Sequence, residues 1–240
     1  MNAFIDIHQH ILYGVDDGAA NRAEMRKMLL TASANGVAVI LATPHIAPGI
    51  KPFSADTFNK RLEEARAMIR EHRLPMEMHL GAEVLYTYQT PRFFSEHRIP
   101  SLAGTGKVLL EFPRKIDFFE LESAVLMTLR CGYIPVLAHI ERYECLMHGK
   151  QTLCRLKEHA EVFCQINCDS VLRWGGRSPN GTLRHMLEDG LIDFVASDAH
   201  HGLQQNCRMQ AAYEALCKLV GETAANRMTL NGASLEVLHE

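Results

Sequence analysis

The strongest constraint on this chain is a series of short apolar runs, each closed by polar, metal-competent residues. They read FIDIHQH, VAVILATPH, MEMHLGAEV, KVLLEF, YIPVLAHIER, VFCQINCDS and LIDFVASDAH. Near-continuous apolar runs of this length suit strands buried on both faces. Helical patterns fall between several of them: Asn21 to Asn35 (ending at Gly36), Asp56 to His72, Glu120 to Cys131, Lys150 to His159 and Gly181 to Asp189. Asp56 is placed as a helix N-cap. The tail is helical in pattern from Cys207 to Val220 and again from Glu222. Alternating buried strands and helices predict an α/β fold, with a parallel sheet and helices outside. Seven or eight such units favour a barrel, complete or incomplete; an open doubly wound sheet is the alternative. No fixed-period repeat and no low-complexity segment divides the chain, so residues 1–240 are expected to form one domain. The stretch from Pro44 to Pro52 is expected to be a long loop at the site.

In a parallel α/β fold the C-terminal ends of the strands share one face, and ligand chemistry collects there. The strand ends carry His8 and His10, then His45, Glu83, Glu111, His139, Asn167, and finally Asp198 with His200. Each alone has a plain explanation. His45 could be a loop residue, Glu83 or Glu111 part of an ion pair, and His139 part of a surface turn with Glu141 and Arg142. Together they converge on one mouth, and an unpaired carboxylate among apolar residues would be costly. Residues i and i+2 on a strand point to one side. His8 and His10 can therefore face one ion, with Asp6 on the same side one rung deeper as a supporting group. Asp198 and His200 repeat that spacing, and His201 points away. Imidazole with carboxylate suits zinc, manganese or iron. Asp16 and Asp17 both follow the first strand, and the residues alone do not choose between them. His72, His79, His97, His148, His159, His185 and His239 are assigned to surface or core, with His148 set apart because it follows HIERY.

Other classes of function find little support. A formal charge of −3 gives no basic field for nucleic acid or an anionic membrane. No apolar stretch approaches the roughly 20 residues of a membrane helix, and MNAFIDIHQH lacks the pattern of a signal peptide. The seven cysteines include no C-x-x-C pair, and Cys131, Cys164 and Cys168 lie in or beside apolar stretches. They read as reduced thiols of a cytoplasmic protein. GTGK at Gly104 to Lys107 precedes a strand and has Val108 where a phosphate loop needs Ser or Thr. Ser101, Ser170, Ser178 and Ser197 lack a nucleophile-elbow context, and no cysteine has a phosphate-cradling loop.

The HxH of His8 and His10, TPH at Thr43 to His45, GAE at Gly81 to Glu83, LLEF, AHIERY at Ala138 to Tyr143 and SDAH at Ser197 to His200 resemble the PHP (polymerase and histidinol phosphatase) family. They resemble most closely its bacterial branch of protein tyrosine phosphatases from capsule and exopolysaccharide gene clusters. The match runs in order over nearly the whole chain. DDGA at Asp16 to Ala19, GAEVLYT at Gly81 to Thr87 and the full AHIERY string are its more specific parts. The resemblance implies a distorted TIM-like barrel of seven βα units of the PHP type. It also implies metal-dependent hydrolysis of protein phosphotyrosine in the control of polysaccharide synthesis. The implied cofactors are three divalent metal ions, manganese first, with iron or zinc as alternatives. By resemblance, His8, His10, Glu83 and Asp198 hold one ion. Glu83 bridges to a second, completed by Glu111 and His139. Asp17, chosen over Asp16 by the family pattern, holds the third with His45 and His200. Arg142 matches a family arginine that contacts phosphate. A second such arginine usually follows SDxH in a Pro-containing segment; here HGLQQNCRMQ has no proline, and Arg208 is the nearest candidate. The implied partner is a phosphotyrosine protein, such as a tyrosine kinase of a polysaccharide system, and no oligomeric state follows. Three rival readings are a small-metabolite phosphatase of the histidinol-phosphatase type, a non-catalytic metal-binding PHP module, and an amidohydrolase-like enzyme. The last commonly uses a strand-borne lysine, and none stands at these strand ends.

Overall fold

Each of the seven apolar runs contains strand structure, and two of them break in the middle. A computed structural model describes residues 3–174, 181–202 and 207–230. Its strands are β1 (Phe4–Gln9), β2 (Val37–Ala42), β3 (His45–Ile46), β4 (Glu77–Leu80), β5 (Glu83–Leu85), β6 (Lys107–Glu111), β7 (Ile134–Leu137), β8 (Phe163–Asn167) and β9 (Phe194–Ala196). VAVILATPH splits into β2 and β3 at Thr43-Pro44, where proline removes a ladder donor. MEMHLGAEV splits into β4 and β5 at Gly81-Ala82. The pairs are all parallel, in a three-stranded sheet ordered β1-β2-β4 and a six-stranded sheet ordered β3-β5-β6-β7-β8-β9.

The sheets meet at both sides. Gly81 N donates to Ala42 O at 2.8 Å and Glu83 N to Pro44 O at 3.2 Å, bridging the two broken runs. On the other side His10 N donates to Ala199 O and Asp198 N to His8 O, each at 2.9 Å. These bonds bring the start and end of the strand series together at one face, in keeping with the distorted barrel expected. The packing agrees. Ile7, Leu41, Leu109, Val136, Ala138, Phe194 and Ala196, all on or next to strands, form one buried cluster with Leu102, separate from the larger core shared with the helices. Leu102 sits in the short turn Leu102–Gly104. Gly81 accommodates it, since a Cβ there would stand 2.7 Å from Leu102 Cδ2.

The helices follow the expected periods. In Arg22–Ala34 the buried residues are Met25, Met28, Leu29 and Ala32, one face of a 3.6-residue period, and the Asn21 side chain caps the amides of Ala23 and Glu24. Phe118–Arg130 buries Leu121, Ala124, Val125 and Thr128 and is capped by Asp117. Two expectations are corrected. The helix Ala55–Glu71 is capped by Ser54, which accepts from Thr57 N; Asp56 lies in the first turn, where its charge meets the helix dipole. In VFCQINCDS the strand stops at Asn167 and Cys168–Trp174 is helical. The short helices Thr90–Ser95 and Glu144–Met147 have no clear counterpart in the sequence pattern. Among the described residues no helix is long and apolar enough to cross a membrane.

All seven cysteines are free; Cys164, Cys168 and Cys207 are buried, and Cys131 is part-buried. Burial pushes the Cys164 thiol up to about 12. Alkylation of native protein at about pH 8, near the ordinary thiol value, should therefore modify Cys131, Cys145, Cys154 and Cys217 well before Cys164, Cys168 and Cys207. Peptide mass spectrometry reads the order; early labelling of Cys164 would contradict this packing.

Candidate metal centre

The first strand delivers its histidines through an irregularity. Ile7 faces the strand-borne cluster and Ile5 packs against it. Strict alternation would then turn His8 and His10 away. The β1–β2 register shifts between Asp6 and Gln9, and both imidazoles turn into the mouth. Such a shift re-aims side chains. Asp6 is not on their side, contrary to the two-residue rule. Its Oδ1 accepts from Ser197 N at 2.9 Å and its Oδ2 from Gln9 Nε2 at 3.0 Å. It ties β1 to the segment after β9 and touches neither imidazole ring.

The strand-end residues do come together. His8, His10, Glu83 and Asp198 form one compact group, His10, Asp17, His45 and His200 a second, and His45, Glu83 and Glu111 a third. Glu83 Oε2 stands 3.1 Å from His8 Nε2, from His10 Nε2 and from His45 Nδ1. Asp198 Oδ1 lies 3.3 Å from His8 Nε2 and 3.6 Å from His10 Nε2. His139 Nε2 is 2.8 Å from Glu83 Oε1 and 3.7 Å from Glu111 Oε1. Asp17 Oδ1 is 3.4 Å from His45 Nε2 and 3.6 Å from His200 Nε2. His8, His10, Glu83 and Asp198 stand together as the resemblance implies, and Asp17, His45 and His200 do so with His10 beside them. The compact group at Glu83 and Glu111 contains His45, while His139 stands next to Glu83 and farther from Glu111.

The donor chemistry fits a cation. His10 Nδ1 is 2.9 Å from Asp16 Oδ2, so Nδ1 carries the proton given to that carboxylate. His8 Nδ1 is 3.2 Å from Gln165 Oε1 in the same way. Holding a cation, His8 and His10 would keep their protons on Nδ1 and turn toward it two Nε2 lone pairs that stand 3.1 Å apart. Without one, burial opposes charge on both rings, but Glu83, with Asp198 beside His8 and Asp16 beside His10, raises them above the ordinary imidazole value. Two lone pairs at that distance, flanked by two buried carboxylates, suit a shared positive ion, and imidazole with carboxylate is a donor set for divalent transition metals.

The two aspartates divide their work. Asp16 accepts from His10 Nδ1 and from the amides of His45, at 3.0 Å, and Gly18, at 2.9 Å. Asp17, exposed, faces His45 and His200. Gly18 makes this turn possible: a Cβ there would lie 2.0 Å from His10 O. Burial disfavours the Asp16 carboxylate, but the His10, Gly18 and His45 donors outweigh it and hold the group at about 2. Burial likewise opposes charge on Glu83, yet His8, His10 and His139 keep it well below the usual carboxylate range. Glu111 is raised by burial and by the neighbouring Glu83.

Around these groups, Arg142 Nη2 donates to Asp198 Oδ2 at 2.6 Å. Arg208, at the start of the helix Met209–Val220, pairs instead with Asp169 at 3.2 Å and makes no ion pair to the cluster. Its intervening segment, 203–206, lies outside the described residues. Asn167 Nδ2 donates to Asp198 Oδ2 at 2.7 Å. Glu141 is buried, accepting from Asn167 N at 2.9 Å and Ser170 Oγ at 2.7 Å. His201 pairs with Glu24, as a bystander. His148 lines a separate cavity, and His239 lies outside the described residues. Sequence reasoning passes over Gln165 and the role of Asp16. The two-residue rule applied to β8 from Asn167 would find Gln165.

A parallel α/β fold with a histidine and carboxylate cluster at its strand ends defines the class: a barrel-like protein with a candidate multinuclear metal centre. The particular family is shown by comparison. The chain belongs to the capsular polysaccharide synthesis CpsB/CapC family, whose pattern it matches over residues 4–238. It is 32% identical over 239 residues to the tyrosine-protein phosphatase YwqE of Bacillus subtilis (strain 168), covering 96% of this chain and 91% of the relative. It is 29% identical over 236 residues to the tyrosine-protein phosphatase CpsB of Streptococcus agalactiae serotype V, covering 95% and 96%. A solved structure from a study of YwqE from Bacillus subtilis and CpsB from Streptococcus pneumoniae, described as unique metal-dependent tyrosine phosphatases, superposes with a TM-score of 0.82 at 29% identity, covering 92% of this chain and 89% of the other. A histidinol phosphate phosphatase from Lactococcus lactis, solved with zinc, L-histidinol and phosphate, shares the fold at 17% identity, with a TM-score of 0.58 and 92% and 94% coverage.

The Asp16 carboxyl, lowered from its ordinary 3.8 to about 2, predicts an acid effect on stability. A depressed carboxyl stabilises the fold above its unfolded value and loses that contribution as pH falls through its folded value. In chelator-treated protein, the stability advantage of wild type over Asp16→Asn should shrink by about 2 kcal/mol between about pH 5 and pH 2. Denaturant unfolding across that range measures it; a constant difference would contradict the pairing of Asp16 with His10.

Proposed function

We propose that this chain is a metal-dependent protein tyrosine phosphatase acting in the control of capsular or exopolysaccharide synthesis. The observation that carries the reading is the single buried Glu83 oxygen facing three imidazoles at 3.1 Å, in a family whose relatives bear tyrosine phosphatase names. We assign three divalent ions, manganese first and iron or zinc as alternatives. His8, His10, Glu83 and Asp198 would hold one; Glu83, Glu111 and His139 the second; Asp17, His45 and His200 the third. When bound, such ions supply positive charge to the phosphoryl oxygens and make water acidic enough to attack near neutral pH.

The residues of the chain supply orientation. Arg142, still 40% exposed, is held at the mouth by Asp198. Its planar guanidinium can turn to grip two phosphoryl oxygens at once. Arg208 is the second candidate for that role and would first have to leave Asp169. A phenolate leaves readily from a loose phosphoryl-transfer transition state, so charge stabilisation and positioning are the main needs. A cavity of about 720 Å³, lined by residues including Lys115, Phe118, Phe119, Glu144, His148 and Arg155, opens between segments that follow the C-terminal ends of β6 and β7. It offers room and mixed chemistry for the polypeptide around a phosphotyrosine. The same reading takes a tyrosine kinase of a polysaccharide system as the phosphoprotein, the cytoplasm as location and residues 1–240 as one catalytic domain.

Purified protein should hydrolyse a phosphotyrosine peptide faster than histidinol phosphate, lose that activity in EDTA and regain it with manganese. Arg142→Ala should lower kcat/KM by about 100-fold or more with metal content retained. His8→Ala should abolish turnover. Full activity of His8→Ala after chelation, or a preference for histidinol phosphate, would overturn the proposal.

A further inference from the structure

We infer that Gln165 and Asn167 form a chain of two side-chain amides that presets the metal centre, so that loss of the chain weakens metal binding. The inference rests on the metal-dependent reading above. The two residues stand at i and i+2 on β8 and face the same side. Gln165 is fully buried and Asn167 nearly so.

The direction of every bond in this chain follows from one backbone group. Gln165 Oε1 lies 2.8 Å from the amide of His139, which can only donate. That oxygen is therefore the acceptor end, and the amide cannot be flipped. The same oxygen is 3.2 Å from His8 Nδ1, so His8 must carry its proton there and present the Nε2 lone pair to the cluster. The other end, Gln165 Nε2, then donates to Asn167 Oδ1 at 2.8 Å. This orients Asn167, whose Nδ2 donates to Asp198 Oδ2 at 2.7 Å. With Arg142 Nη2 donating to the same Oδ2 at 2.6 Å, Asp198 is held so that Oδ1 faces His8 Nε2 and His10 Nε2, at 3.3 and 3.6 Å. One amide N–H thus selects the His8 tautomer and, together with Arg142, fixes the rotation of Asp198, two groups assigned to the same ion. The amide belongs to His139, which is assigned to another.

Without the chain, His8 would spend part of its time with the proton on Nε2, a form that cannot bind an ion through that nitrogen, and Asp198 Oδ2 would lose one of its two donors and keep Arg142. Loss of such supporting partners typically costs 10–100-fold in metal affinity. Gln165 and Asn167 are thus positioning residues. Amides that merely filled a buried polar gap would affect folding stability and leave affinity alone.

The test is manganese affinity of demetallated protein, measured by competition with a chromophoric chelator, on wild type, Gln165→Leu, Gln165→Glu and Asn167→Ala, with circular dichroism to confirm folding. Gln165→Leu should weaken the tightest site by about 10–100-fold. Gln165→Glu keeps acceptors for His139 N and His8 Nδ1 and should fall between Leu and wild type. The losses from Gln165→Leu and Asn167→Ala should combine less than additively, because both cut one chain. If Gln165→Leu does not fold, Gln165→Glu and Asn167→Ala carry the comparison. ¹⁵N spectra of zinc-loaded wild type, zinc being diamagnetic, should place the remaining His8 proton on Nδ1. Wild type that binds manganese while the folded variants match it within about twofold would overturn the inference alone. Wild type that binds no divalent ion would overturn the metal reading and this inference with it.

Discussion

Glu83 Oε2 meets nitrogens of three histidines, two from β1 and its end and one from β3, each at 3.1 Å. A carboxylate this deeply buried must be compensated, and much of the architecture serves that requirement. The pairing His45↔Glu83 sets β3 against β5. The two parent runs hold one register through their breaks at Pro44 and Gly81, with Ala42 opposite Leu80 before them and His45 opposite Glu83 after. The third contributor, β1, shifts register to bring His8 and His10 inward. The mouth is then closed by hydrogen bonds from Asp198 N to His8 O and from His10 N to Ala199 O. The site and the joining of the two sheets are therefore one structural problem with one solution.

The backbone is strained at two of the candidate ligands. His139 and Asp198 adopt positive φ, 33° and 52°, outside the usual range of residues with a side chain. Such conformations cost of order 1–3 kcal/mol each and persist where surrounding bonds over-determine them. Here the amide of His139 is held by Gln165 and the amide of Asp198 by His8 O. Each turn ends a strand abruptly and swings its side chain over the mouth. An extended continuation would carry both groups past the cluster.

Strand ends are legible because a histidine or carboxylate at the end of an apolar run is conspicuous and expensive. Residue types and spacing alone reach His8, His10, His45, Glu83, Glu111, His139, Asp198 and His200. They fail for Asp6 because the register shift is a backbone event that residue types do not announce. They cannot separate Asp16 from Asp17, since the distinction lies in a turn held by Gly18 against His10 O. Gln165 escapes notice because an amide is no strong ligand, and its partner His8 lies 157 positions away in sequence. Arg208 depends on a family segment that here lacks proline, and the chain pairs it with Asp169. Spacing alone can reach a metal centre; phosphotyrosine comes only from the resemblance and the family.

The most direct test of this account is the position of the ions themselves. Crystals of manganese-loaded protein, measured for anomalous scattering at the manganese edge, locate them without reference to activity. The account predicts a peak enclosed by His8, His10, Glu83 and Asp198, with further peaks at Glu83, Glu111 and His139 and at Asp17, His45 and His200. Anomalous peaks elsewhere, with none at the first position, would contradict it.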